Sequence, residues 1–170
     1  MIVKTHATSK LTGNKLSIPG TNTKQIGDIL ADSLLIVPYR LNGVWVSLGA
    51  YIQASAIYRR HREELLALNS IVISGHSLGA GNACILSLLL RNDKWYHPIT
   101  LDCKGGLKVL GRRASWIVGV YCTVKWQVRH RDPIPHIPLW YAPGNDTEKT
   151  GDKRRHWFDW SMSEHMGYWG

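Results

Sequence analysis

Gly75-His76-Ser77-Leu78-Gly79 sets a serine between two glycines, and the residues on either side suggest what the pattern is for. Ile71-Val72-Ile73, before it, is a short β-branched run expected as a buried strand. Ala80, Ala83, Cys84, Leu86, Leu88, Leu89 and Leu90, after it, follow a helical pattern. G-x-S-x-G can arise by chance in a glycine-rich turn. A strand entering and a helix leaving make it a nucleophile elbow, which presents a serine for attack on a carbonyl carbon. The turn forces Ser77 into a strained backbone conformation and lifts its side chain clear. A Cβ at Gly75 or Gly79 would collide with the adjoining strand or helix. The Leu78 amide, at the helix start, points into the same space, where the partial positive charge of the helix end favours an oxyanion.

A serine hydroxyl is a poor nucleophile near neutral pH. It needs an imidazole to take its proton and a carboxylate to orient that imidazole. The carboxylates after Ser77 are Asp93, Asp102, Asp132, Asp146, Glu148, Asp152, Asp159 and Glu164. Asp132 is the candidate acid, because it follows a convincing strand and precedes prolines that turn the chain away; the alternative is a local turn aspartate. The candidate bases are His136, His156 and His165. His136 stands only four residues beyond Asp132, too near to fold back easily. His165, among small and aromatic neighbours, is preferred to His156, which stays open. His76 is read as packing inside the elbow. A second oxyanion donor is expected from the loop after an early strand, where the Thr21 amide would join that of Leu78; an ordinary turn threonine is the alternative.

These residues need elements to position them. Residues 1–15 read as an extended arm or a hairpin around Thr12-Gly13-Asn14, and Lys15 to Ile18 as a strand that breaks at Pro19-Gly20. A short helix is expected over 23–35, and the longest one over 47–68, with Leu48, Ile52, Ser55 and Tyr58 along one side. After the elbow helix come a turn over 91–94, strands over 98–101 and 106–110, and an apolar stretch over 114–121 that suits strand or helix. Residues 121–129 alternate as a strand and deliver Asp132. Residues 143–155 read as a polar connection. Alternating strands and helices imply an α/β fold, with a mostly parallel central sheet flanked by helices. Such sheets hold ligands at the strands' C-terminal ends, where Ser77 and Asp132 both fall.

The 170 residues suit a single domain over 1–170 with a proper core, and an apolar content of 44% excludes a disordered chain. Lys and Arg number 21 against 12 Asp and Glu, a net charge of +9 that suits anionic partners or simply keeps the chain dissolved. Cys84, Cys103 and Cys122 form neither a disulfide framework nor a metal motif, and no metal or other cofactor is expected. With no signal-peptide block and no run of membrane-spanning length, the expectation is a soluble, cytoplasmic protein. Nucleic acid is not an expected partner, for want of a recognised binding motif.

Gly75-His76-Ser77-Leu78-Gly79-Ala80 resembles the elbow of the class 3 lipases, the fungal-lipase-like branch of the α/β-hydrolases. Pro19-Gly20-Thr21 resembles that family's Arg-Gly-Thr oxyanion loop, with proline in place of the arginine. Asp28-Ile29-Leu30-Ala31-Asp32 resembles the acidic, apolar segment after it. Val46-Ser47-Leu48-Gly49-Ala50-Tyr51 resembles the entry to the long helix, without its histidine. Asp132-Pro133-Ile134-Pro135-His136-Ile137-Pro138 resembles the run bearing the triad aspartate, and Glu164-His165-Met166-Gly167-Tyr168 the segment bearing the base. The Gly-x-Pro-Arg segment of the family has no clear match here, 105–113 being the nearest region. The resemblance implies a compact α/β-hydrolase-like domain that cleaves carboxylic esters of lipids without a metal. Its triad would be Ser77, Asp132 and His165, and its oxyanion hole Thr21 and Leu78. A phospholipase acting on anionic membrane lipid and a non-catalytic lipid-binding relative are the alternatives. The expected partners are a lipid or small ester substrate and, through the basic surface, peripheral contact with an anionic membrane. Leu34, Leu35, Ile36, Tyr39 and Trp45 are candidates for an acyl-binding wall or for plain core. The short span between Asp28 and Gly43 leaves little room for a large lid.

Overall fold

The computed structural model describes residues 9–20, 33–129, 132–136, 140–143 and 147–150. Strand β1 (Lys10–Thr12) turns at Gly13, whose φ is +56°, into the antiparallel strand β2 (Lys15–Ile18). The expectation of a hairpin around Thr12-Gly13-Asn14 therefore holds where the chain is described. In β2 the alternation is strict: Leu16 and Ile18 are buried, Lys15 and Ser17 exposed. Of the helix expected over 23–35, residues 23–32 lie outside the described residues, and Ser33–Leu35 forms a single 3-10 turn.

Strands β3 (Pro38–Leu41) and β4 (Val44–Ser47) form a separate antiparallel hairpin. Its turn is Asn42-Gly43, with φ of 43° and 86°. Positive φ at both central residues matches the strand twist, and Asn-Gly tolerates it best. Helix α1 (Leu48–Leu66) follows at once, its N-cap Ser47 accepting a hydrogen bond from the Ala50 N–H at 3.4 Å. Its buried residues are Gly49, Ala50, Ala54, Ile57, Tyr58 and Leu65. The expected stripe of Leu48, Ile52 and Ser55 is thus only partly covered. The helix turns its small residues inward, because close approach to a neighbouring helix favours Ala over Leu. Gly49 shows the same closeness, since a Cβ there would lie 3.2 Å from the backbone of Leu34 and Leu35.

The rest of the chain alternates as expected: β5 (Ile71–His76), α2 (Leu78–Asn92), β6 (Ile99–Lys104), α3 (Arg112–Tyr121), β7 (Cys122–Arg129) and β8 (Thr147–Thr150). One sheet of six strands runs in the order β1-β2-β5-β6-β7-β8, and every pair from β2 to β8 is parallel. Of the parallel strands, β5 is buried almost throughout, whereas β2, β6 and β7 alternate buried apolar residues with more exposed, mostly polar ones on the other face. Helix α2 packs on β5 and β6, α1 packs over α2, and α3 packs against β4 and β7. α2 is apolar nearly all round because it is covered nearly all round.

Three local expectations change. The stretch over 106–110 is irregular rather than a strand, and only Leu110 bridges, to Val46 and to Tyr141. The ambiguous stretch over 114–121 lies in helix α3. The polar connection over 143–155 contains β8, whose pairing with β7 extends the sheet although its own sequence, Thr-Glu-Lys-Thr, has no apolar pattern.

Candidate active site

Ser77 joins β5 to α2 with φ 54° and ψ −124°, a conformation that L-residues rarely adopt. The surrounding backbone holds it there from both sides. The Ser77 N–H donates to the Lys104 carbonyl at 3.1 Å. The Ser77 carbonyl accepts from Ala80 at 3.1 Å, Gly81 at 3.4 Å and Leu107 at 3.1 Å. Residues 104–107, the loop after β6, therefore grip the elbow at its nitrogen and its oxygen. Strain of this kind costs about 1–3 kcal/mol and persists only where neighbours over-determine it.

The glycines are required by closeness. A Cβ at Gly75 would sit 2.5 Å from the Gly79 carbonyl oxygen, and one at Gly79 would sit 2.4 Å from that of Ile18. Real Cβ atoms do not approach so near, so the strand, the helix and the end of β2 can meet only with glycine at both positions. Gly20 completes the enclosure: a Cβ there would lie 2.6 Å from His76 Nδ1 and 3.2 Å from the Ser77 Cβ. The chain leaving β2 thus passes directly over the elbow, and His76 is buried beneath it, as the packing reading expected.

Although a serine at an N-cap usually bonds a helix amide, the Ser77 hydroxyl makes no capping bond. The amides of Leu78 and Gly79, first in the helix, have no carbonyl one turn back to meet. The hydroxyl and the helix-start amides meet at the elbow, with Ser77 only 5% exposed.

Asp132 lies three residues beyond β7 and is wholly buried. Its backbone N–H donates to the Arg129 carbonyl at 3.2 Å, and its Oδ1 accepts from the Ile134 N–H at 2.9 Å. The turn thereby fixes the carboxylate as the strand ends. Strands β5 and β7 are parallel and flank β6, so Ser77 and Asp132 follow the same ends of strands about 10 Å apart, two strand spacings. Thr21, His156 and His165 lie outside the described residues. Leu78 begins α2, as expected.

The residues considered as an acyl-binding wall separate. Leu35 is buried core, Leu34 and Tyr39 are half-buried, and Ile36 and Trp45 are exposed. Tyr39 stacks on Tyr51 with ring centroids 4.2 Å apart, which ties β3 to α1. The thiols offer no competing nucleophile. Burial, and then the neighbouring Cys103, push the Cys84 thiol well above its ordinary range; burial also raises Cys122. Among the described residues no group of His, Cys, Asp and Glu could hold a metal ion.

One contact at this site had little signal in the sequence. A Cβ at Gly106 would lie 2.3 and 2.5 Å from the six-membered ring of Trp126 and 3.0 Å from the Ala80 Cβ. The gripping loop therefore packs directly against a fully buried indole and the first turn of α2. Adjacent glycines after a strand, Gly105-Gly106, were the only local hint.

The model of the family described as Lipase (class 3) matches residues 23–142. The chain belongs to the class 3 lipase family. No curated protein matches its sequence. Solved structures agree on the fold of this family member. MDLA from Penicillium cyclopium, in a mutant form, superposes with a TM-score of 0.66 at 17% identity, covering 89% of this chain and 59% of that one. A triacylglycerol lipase from Penicillium expansum gives 0.67 at 15% identity, covering 89% and 68%. A mono- and diacylglycerol lipase from Aspergillus oryzae gives 0.60 at 18% identity, covering 75% and 49%. The chain thus spans about half to two-thirds of the length of these structures. Among the described residues, no helix is long and apolar enough to cross a membrane.

Proposed function

We propose that this member of the class 3 lipase family hydrolyses carboxylic esters of lipids through an acyl-serine intermediate, with residues 1–170 folding as one domain. Ser77 Oγ attacks the ester carbonyl carbon while His165 takes its proton, and the carbonyl oxygen becomes an oxyanion. The Leu78 and Thr21 amides stabilise that charge, and Asp132 orients His165 and balances its imidazolium. The tetrahedral centre collapses and the alcohol leaves with the proton from His165. Water then attacks the acyl-serine by the same path, releasing the acid and restoring Ser77.

The observation that carries this reading is the backbone of Ser77, held at φ 54° with its hydroxyl spared from capping. An ordinary turn would relax such strain. Two further features support it. The gap between Ser77 and the strand end bearing Asp132 suits an imidazole bonded at both ring nitrogens. Gly20, the residue before Thr21, lies against Ser77. The names of the structural neighbours, a triacylglycerol lipase and a mono- and diacylglycerol lipase, favour glycerol esters as substrate.

The test is turnover of p-nitrophenyl esters of graded chain length by the wild type and by Ser77→Ala. Turnover should fall by at least about a thousandfold in the variant, since removing a triad member leaves only the oxyanion hole and binding. Equal rates would remove the proposal. Adding phosphatidylcholine and phosphatidylglycerol as substrates at two salt concentrations separates a phospholipase from a neutral-ester enzyme. A fluorophosphonate that leaves Ser77 unlabelled would favour the non-catalytic relative.

A further inference from the structure

Three large apolar side chains that stand exposed, Trp116, Val120 and Tyr121, come from the ten residues of α3. Arg112, Trp116 and Val120 are spaced four apart and lie along one side of the helix, with Arg113 beside them. Ala114 and Val118 are buried on the opposite side. Trp116 is 64% exposed and Val120 55%, so the outward face pairs arginine with tryptophan where polar residues would be the ordinary choice.

The apolar exposure continues past the helix start. Gly111 caps α3 and its N–H donates to the Trp45 carbonyl at 2.7 Å; the Tyr141 N–H donates to the Leu110 carbonyl at 2.8 Å. Trp45 and Tyr141 are each about half exposed. Charge is equally concentrated. No Asp or Glu occurs between Asp102 and Asp132, while that stretch holds seven Lys or Arg residues. No salt bridge engages Arg112 or Arg113 among the described residues. The helix starts beyond the C-terminal end of β6, at the same edge of the sheet as Ser77.

We infer that the outward face of α3, with Trp45 and Tyr141 at its head, docks the protein on an anionic lipid surface. Charge complementarity selects this occupant: guanidinium groups meet lipid phosphates while the indole enters the boundary between headgroups and acyl chains, where Trp is most stable. The inference rests on the lipid-ester reading above only in explaining why such a face would stand at the edge bearing Ser77. Its physical content is binding, independent of turnover.

The experiment measures co-sedimentation of the full chain, carrying Ser77→Ala so that the vesicles stay intact, with phosphatidylcholine vesicles with and without phosphatidylglycerol. Binding to the anionic vesicles is expected, weakening as salt rises. Arg112→Gln with Arg113→Gln should weaken it about 30-fold, from roughly a fivefold effect for each charge near the surface. Trp116→Ser should weaken it on both sides of a salt series. All three positions are exposed, so unfolding is not expected; circular dichroism checks this. In the background retaining Ser77, the same substitutions should leave hydrolysis of a soluble short-chain ester unchanged. Vesicle binding indifferent to these residues or to lipid charge would overturn the inference. So would a dimer that the substitutions dissociate, or Trp116-dependent binding to an oligonucleotide in place of vesicles. Vesicle binding that depends on α3 in a protein with no esterase activity would keep this inference and remove the hydrolase reading.

Discussion

At Ser77 the backbone is the unusual feature and the side chain is ordinary. What keeps φ positive is a set of approaches that no Cβ could survive. At Gly79 both nearest atoms are backbone oxygens, of Ile18 and Pro19, at 2.4 and 2.7 Å. Gly79→Ala should therefore lose several kcal/mol or fail to fold, because neither oxygen can rotate away; a urea titration would measure it. Gly106→Ala is more informative, since its obstacle is the Trp126 ring. Overpacking there should cost about 1–3 kcal/mol. It should also lower kcat more than it raises KM, because the displaced loop carries the Lys104 carbonyl and Leu107 amide that hold Ser77. Trp126→Phe shortens the ring, so the double variant should regain stability relative to the sum of the two single effects; an additive cycle would show that the ring and the loop are not in register. The elbow could be read from sequence because all its requirements lie within a few adjacent residues. The Gly106–Trp126 contact joins positions twenty apart in sequence through the neighbouring strands β6 and β7, and no local pattern encodes it.

Elements were legible where their own residues repeat. The core of β5, the start of α1 and the alternation of β2 follow from periodicity and capping alone. Asn42-Gly43 carried a hairpin signal in plain view, and the reading of the residues around it as acyl-binding wall or plain core passed over it. β8 was hidden for the opposite reason: Thr147 to Thr150 gain their order from the edge of β7. Between α1 and α2 a polar clamp complements the packing. The Tyr58 hydroxyl donates to Asp93 Oδ2 at 2.6 Å, and Arg62 donates to the same oxygen through Nε at 3.0 Å and Nη2 at 2.7 Å. The hydrogen bond from Tyr58, then those from Arg62, hold the Asp93 carboxyl below its usual 3.8. Burial, and then Asp93, push the Tyr58 phenol up to about 12. The signs follow. Asp93 stabilises the fold above its unfolded pKa, and that contribution fades as pH falls through its lowered folded value. Tyr58 contributes fully below pH 10, and its share is lost as pH rises through about 12. Asp93→Asn should thus flatten the acid side of a stability–pH curve and Tyr58→Phe the alkaline side. Each should cost about 1 kcal/mol or less near neutrality, because Arg62 and Asp93 are partly open to solvent. A curve unchanged at both ends in both variants would show that the clamp is incidental.

Across the whole molecule, the fold places a thiol on each of three neighbouring elements of one core. Cys84 is on α2, Cys103 on β6 and Cys122 at the start of β7, all buried and unlinked. A disulfide reagent requires an exposed thiolate, so burial blocks the reaction by access and, at Cys84 and Cys122, by raising the thiol pKa as well. If α2, β6 and β7 open only together, the thiols can react only through that shared opening. With a stability of about 5 kcal/mol or more, they should then react over a thousandfold more slowly than in the unfolded chain. Their rates should rise together as urea approaches the midpoint. Cys122 is the most exposed of the three at 9%, and it sits where β7 begins. If it alone reacts quickly, the start of β7 frays while the centre holds, and the labelling places the boundary of the cooperative unit between β7 and β6. Should Cys84 react quickly as well, the first turns of α2 open on their own. The strained Ser77 backbone would then have lost the support that its geometry requires, so resistance of Cys84 to labelling is a condition for the elbow to persist.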